Sequence, residues 1–116
     1  MMWRILLYLL ILFFIPLGHA AFIHPLQYSG TAEQTKNLEV YIRQMVHYRY
    51  CQTPSKHNLC SPEQLRQLEY LEHKAFKQAT KVKKGTAINR AIFDACAEHP
   101  NECSYQDIMM RYRQIE

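Results

Sequence analysis

Four cysteines, spaced as two pairs, constrain this chain more than any other feature. Cys51 and Cys60 enclose eight residues, and Cys96 and Cys103 enclose six. Each pair starts at the end of one helical pattern and finishes just before the next. The second cysteine of each pair lies in a similar segment, NLCSPEQL or NECSYQDI. The shared position favours a structural role, with a cysteine that closes a helix connection and a serine that caps the next helix.

The N-terminal stretch MMWRILLYLLILFFIPLGHA has the pattern of a secretory signal peptide. Arg4 precedes an apolar run from Ile5 to Leu17, and Gly18 and Ala20 supply the small residues of a cleavage site. The run is shorter than the roughly 20 residues that span a bilayer. We expect cleavage near Ala20 and a secreted or periplasmic protein without stable membrane insertion. Retention of the segment as an anchor is the alternative.

Export determines how the cysteines are interpreted. An even number of cysteines in a short exported chain is typical of a disulfide framework. Consecutive helices joined by a short connection are usually antiparallel neighbours, which brings the ends of each connection together. The sequence therefore favours the pairs Cys51–Cys60 and Cys96–Cys103. The crossed pairs Cys51–Cys103 and Cys60–Cys96, which would lock the two halves to each other, are the alternative.

Apolar residues recur at helical spacing in four segments, and no strand-like alternation competes with them. After an extended lead-in over 21–30, four helices are predicted. The first runs from 32 to 50 and the second from 62 to 84; the third follows residue 86 and ends at about 97, and the fourth follows residue 104 and reaches 115. Their expected N-caps are Thr31, Ser61, Thr86 and Ser104. The predicted fold is all-α: a signal peptide (1–20), then a small four-helix domain (31–116) made of two disulfide-clipped αα-hairpins.

Size and charge limit the functions that this domain can have. Removal of residues 1–20 from the 116-residue chain leaves 96 residues, and loss of Arg4 lowers the formal net charge from +4 to +3. A domain of this size is only marginally stable without crosslinks. A small positive charge does not indicate a nucleic-acid partner, and export argues against one. We expect no nucleic-acid binding.

No motif in the chain predicts an active site or a metal site, since HExxH, G-x-S-x-G and P-loop patterns are all missing. Residues Cys96 to His99 match four positions of the Cys-x-x-His-Asp segment of secreted phospholipases of the A2 type, but Pro100 replaces the calcium-binding Asp. We therefore expect no catalytic residues, metal or cofactor. A small secreted hydrolase or lipid-active enzyme, or a secreted toxin or effector, is the alternative.

Several large side chains fall on the helix faces opposite the apolar stripes. This candidate interaction face consists of Val40, Arg43, His47, Tyr50, Tyr70 and Met110. Tyr, Arg and Met are enriched in protein interfaces. Burial against a second neighbouring helix is the competing explanation. The sequence thus predicts a binding protein with an accessory, inhibitor, immunity-type or adaptor role. Its protein partner is not identified by the sequence, and a second copy of the chain, forming a homodimer, is one candidate.

Overall fold

The computed structural model describes residues 20–52 and 59–115, and this part of the chain is all-helical without strands. A short 3-10 helix, Pro25–Gln27, precedes four α-helices: α1 (Ala32–Tyr50), α2 (Pro62–Lys81), α3 (Thr86–Glu98) and α4 (Tyr105–Ile115). The all-α prediction is confirmed. The predicted signal peptide lies outside the described residues, except for Ala20.

Polar side chains begin three of the helices where the sequence places them. Thr31 Oγ1 accepts a hydrogen bond from the N–H of Gln34 at 3.1 Å, and Ser61 Oγ accepts one from Gln64 at 3.2 Å. In both cases the glutamine side chain completes a capping box by accepting from the cap residue's N–H. Ser104 Oγ likewise accepts from the N–H of Asp107 at 3.3 Å.

The connection between α2 and α3 differs from the prediction. The helix α2 ends at Lys81, rather than at Lys84 as predicted, because Val82 is already extended, with φ −73° and ψ 156°. Val82 is half-buried against the core, and extended backbone suits its β-branched side chain. The predicted Thr86 cap is wrong: Gly85 occupies the N-cap position, without a side-chain cap. The Asn89 side chain instead donates to the Gly85 carbonyl at 2.9 Å.

Two disulfides join Cys51 to Cys60 and Cys96 to Cys103, and no cysteine is free. These are the pairs that the sequence favours, and the crossed pairs are excluded. Cys51 directly follows α1, while Cys60 precedes the cap of α2. Cys96 lies in the last turn of α3, and Cys103 precedes Ser104. Each disulfide therefore encloses the connection between two consecutive helices.

The core is built around aromatic rings contributed by three helices and the lead-in. Tyr105 is fully buried; its ring packs edge to face on Phe76 at 4.9 Å and on Tyr41 at 5.9 Å, and stacks on Phe22 at 5.4 Å. The Tyr105 hydroxyl donates to the Ile23 carbonyl at 2.8 Å. The lead-in is thus part of the packed domain.

The apolar face of α2 is only partly buried. Ala75, Phe76 and Ala79 are in the core, whereas Leu71 is 42% exposed. Leu71 lies three residues after Leu68 and four before Ala75, at helical spacing on the apolar face, and is nevertheless outside the core. The core-facing position at this level of α2 is occupied by Glu72.

We predict that each disulfide contributes separately to stability. Replacing both members of one pair by Ala releases a loop of eight to ten residues in the unfolded chain, which should lower the free energy of unfolding by about 2.5 kcal/mol. Urea unfolding of the Cys51/Cys60 and Cys96/Cys103 double variants measures this. Unfolding curves identical to that of the unaltered protein would contradict it.

His24 is predicted to weaken the fold at acid pH. Burial lowers the pKa of His24, whose Nδ1 accepts from the N–H of Leu26 at 3.2 Å. The unfolded chain therefore takes up this proton first, so stability is complete above about pH 6.5 and declines as the pH falls toward the folded-state pKa. His24→Asn retains an acceptor without titrating. Urea unfolding at about pH 7.5 and about pH 5 should show a smaller acid loss for the variant; equal losses would contradict the prediction.

Candidate functional site

Glu72 is the most unusual residue of the interior, a fully buried carboxylate in the middle of α2. Its Oε2 accepts hydrogen bonds from the N–H groups of Tyr105 at 2.7 Å and Gln106 at 3.4 Å. These donors are the first residues of α4, where helical N–H groups have no partner within the helix. The negative charge also faces the positive end of the helix dipole. Glu72 therefore acts as an N-terminal cap for α4 that comes from another helix.

Ser104 and Tyr50 extend this contact to the end of α1. The Ser104 hydroxyl donates to Glu72 Oε1 at 2.5 Å, and the Tyr50 hydroxyl donates to Ser104 Oγ at 2.9 Å. Burial raises the pKa of Tyr50, which keeps its hydroxyl protonated and able to donate. Glu72 thus lies at the meeting point of α1, α2 and α4.

A second polar cluster lies beside the first. Asp107 is buried; its Oδ1 accepts from Arg111 Nε at 3.2 Å, and its Oδ2, which has no hydrogen bond, lies 3.7 Å from Arg49 Nη2. Arg49 Nη1 also donates to the Glu102 carbonyl at 3.0 Å. Glu98 and Asp107 raise the pKa of Arg111. The carboxylate of Asp107 is therefore already shared between two guanidinium groups.

These clusters border a cavity of about 610 Å³ between α2, α4 and the C-terminal end of α1, which we call the α2–α4 groove. Ala75 and Met109 are buried side chains in its wall. Leu71 and Met110, which are 42% and 52% exposed, also line it. Its volume lies within the range of about 300 to 1,000 Å³ typical of ligand sites.

The charged lining of the α2–α4 groove is mainly positive. Arg49, Lys74 and Arg113 line it, against the single carboxylate of Asp107. Arg113 Nη2 donates to Gln78 Oε1 at 3.1 Å, a neutral partner, and forms no ion pair within the described part of the chain. Lys74 is exposed and makes no hydrogen bond or ion pair with the described residues. The groove therefore combines an apolar wall with positive charge on Lys74 and Arg113 that no carboxylate of the described residues neutralises.

A second cavity of about 520 Å³ lies next to the first and shares Leu71 with it. Tyr70, which is 66% exposed, lines this cavity with Arg66 and Glu63. Three residues of the predicted interaction face thus line these two cavities: Tyr50 and Met110 line the α2–α4 groove, and Tyr70 lines the second cavity.

The other three predicted residues lie elsewhere on α1 and line neither cavity. Val40 is 37% exposed, and Arg43 forms an ion pair with Glu69 at 3.8 Å. The half-buried His47 packs edge to face on Tyr48, with ring centroids 5.2 Å apart. The structure therefore divides the predicted face between two surfaces.

Sequence reasoning missed Glu72, Leu71 and Lys74 as site residues. For Glu72 a signal was available, because it lies four residues after Leu68 and three before Ala75, in the middle of the apolar stripe of α2. A carboxylate in that position indicates a buried polar contact. The partner of that contact has no comparable signal in the sequence.

The described residues hold neither a metal-binding cluster nor a helix suited to span a membrane. His99 is exposed at the C-terminal end of α3, and Cys96 is held in a disulfide. Residues 20–52 and 59–115 contain no group of three or more His, Cys, Asp or Glu side chains suited to hold a metal ion. None of the helices in these ranges has both the length and the hydrophobicity needed to cross a bilayer.

Comparison with protein-family models, curated proteins and solved structures found no match to this chain.

The role of Glu72 can be tested with Glu72→Gln. The amide group cannot accept all the hydrogen bonds of the carboxylate and removes its charge from the start of α4, so we expect a loss of about 2 to 4 kcal/mol in the free energy of unfolding. Glu69→Gln, one turn earlier on α2, should change it by less than about 0.5 kcal/mol, since Glu69 forms only a partly exposed ion pair. Urea unfolding measures both, and equal stability of the two variants would contradict the assignment.

Proposed function

We propose that this chain is a small exported helical protein that acts by binding another protein, and that the α2–α4 groove with its neighbouring cavity is the binding surface. The main support is the concentration of exposed apolar side chains there. Leu71 and Met110 line the groove, and Tyr70 lines the adjoining cavity. Contiguous apolar surface with a charged border is typical of interaction sites.

Export is supported by the cysteines and by the N-terminal residues together. Two disulfides in a chain of this length favour an oxidising compartment. The apolar stretch after Arg4 has the features of a secretion signal. Packing of Phe22 and Ile23 on Tyr105 means that the domain would begin almost directly after cleavage near Ala20.

The proposed architecture is two disulfide-clipped αα-hairpins. For α1 and α2, the Cys51–Cys60 disulfide lies near one end and the Arg43–Glu69 ion pair farther along. A cavity that is lined by both Thr35 and Lys77 continues the series. Contact positions fall along α1 as they rise along α2, which supports an antiparallel pair. The Cys96–Cys103 disulfide supports the same arrangement for α3 and α4.

Binding is favoured over catalysis by what the polar groups of the interior do. Glu72 is occupied by donors from Ser104, Tyr105 and Gln106. Asp107 is held by Arg49 and Arg111. Both carboxylates thus serve to position α4, beside a groove whose apolar part faces solvent.

Affinity capture with the native exported fraction tests the proposed function. The tagged protein should retain a specific partner, and Met110→Ser and Tyr70→Ser should each reduce the recovered amount at least about tenfold, because interface anchors of this kind contribute about 2 kcal/mol or more. Phe93→Ser is the matched control: Phe93 is 72% exposed on α3 and lines neither cavity.

Quantitative mass spectrometry of the recovered proteins provides the measurement. Failure to enrich any protein, or equal recovery with Met110→Ser and Phe93→Ser, would contradict the proposed binding surface.

A further inference from the structure

We infer that the α2–α4 groove binds an acidic amphipathic helix of the partner protein, an inference that rests on the proposed function. Its apolar side chains enter the groove, and its carboxylates pair with Lys74 and Arg113. The inference depends on the length of the groove, the chemistry of its wall and the sign of its charge.

The groove is elongated along the helices. Residues at positions 68, 71, 75 and 78 of α2 and 106, 109 and 113 of α4 line it, at the three-to-four-residue spacing of one helix face. Hydrogen bonds join Glu72 to Tyr105 and Gln78 to Arg113, so the two helices run in the same direction. At about 1.5 Å per residue, the α2 side extends for about 15 Å. That length matches about three turns of a bound helix.

The apolar wall suits side chains of variable shape. Met109 is buried while Met110 is half exposed, and Leu68 and Leu71 line the α2 side of the groove. Methionine adapts its unbranched side chain to different partners and is common in grooves that bind amphipathic helices. Apolar anchors at i, i+3 or i+4, and i+7 of the bound helix would lie along such a wall.

Charge determines which amphipathic helix is preferred. Within residues 20–52 and 59–115, Lys74 has no partner and Arg113 is hydrogen-bonded only to a neutral amide oxygen. The one carboxylate in the lining, Asp107, is already shared between Arg49 and Arg111. Around the exposed Phe93 on α3, by contrast, the charges are balanced, since Arg90 and Asp94 form an ion pair with each other at 3.8 Å. An acidic segment would neutralise the positive groove, whereas a basic one would be repelled.

Fluorescence anisotropy with synthetic peptides tests the inference on the full exported chain. The probe is a labelled 14-residue helical peptide with Leu at i, i+3, i+7 and i+10 and Glu at the remaining polar positions. Its comparison peptide has Lys in place of every Glu. We expect saturable one-to-one binding of the acidic peptide, weakened by added NaCl, and at least about tenfold weaker binding of the basic peptide.

Substitutions on the protein locate the bound peptide. Lys74→Glu and Met110→Ser should each weaken binding of the acidic peptide at least about tenfold. Because Lys74 is exposed and has no partner in the described part of the chain, its substitution should leave the fold intact, which circular dichroism checks. Lys36→Glu makes the same charge change on the exposed surface of α1, and Phe93→Ser removes an apolar side chain that is more exposed than Met110, 72% against 52%. Neither control should alter binding by more than about twofold.

Equal binding of the two peptides, or equal binding to the unaltered protein and to Lys74→Glu, would overturn the inference. It would also be overturned if sodium oleate bound saturably in a Lys74-dependent way while the acidic peptide did not, because the groove would then be a site for a small anionic amphiphile.

Capture of a native partner that depends on Met110 but not on Lys74 would refute only the inference that the bound segment is an acidic helix, and would leave the proposed function intact. Peptide binding without any captured partner would support the groove chemistry and count against the proposed function.

Discussion

A carboxylate that has no contact with solvent connects the parts of this protein. Burying an ionised carboxyl group is costly unless hydrogen bonds and opposite charge replace its hydration. Glu72 receives these from Ser104, Tyr105 and Gln106 at the start of α4, where the helix dipole also favours negative charge. Any movement of α4 along α2 would break several of these bonds at once. The relative position of the two helices, and with it the shape of the groove between them, therefore depends on this contact.

The disulfides stabilise the fold differently from the hydrogen bonds of Glu72, because they join residues that are close together in the sequence. The cysteines at positions 60 and 103 each directly precede the serine that caps the next helix. Closing these loops reduces the freedom of the unfolded chain, which matters for a domain with a small core. Hydrogen bonds then set how the helices fit together. If a partner binds in the α2–α4 groove as proposed, a surface held in both ways would lose little affinity to ordering of the protein.

The position of a residue around its own helix predicts exposure for some site residues and fails for others. Tyr70 and Met110 lie opposite their own apolar stripes and are exposed, as that geometry suggests. Tyr50 meets the same criterion, yet its hydroxyl reaches Ser104 inside the protein. Leu71 belongs to the stripe but lines an exposed cavity. The angular position of a residue on its helix cannot tell which neighbouring helix, if any, covers it.

The sequence by itself determined the features that depend on residues close together in the chain. The capping boxes at Thr31 and Ser61, the four helices and the position of cysteines at the helix connections all follow from interactions over three or four residues or over short loops. Only the tertiary structure decided that Glu72 caps α4, across a separation of 33 residues, and that Lys74 and Arg113 border the same groove. Contacts over such distances depend on how complete helices pack, because the partner of a buried polar group is chosen by the whole fold and leaves no pattern in the neighbouring sequence.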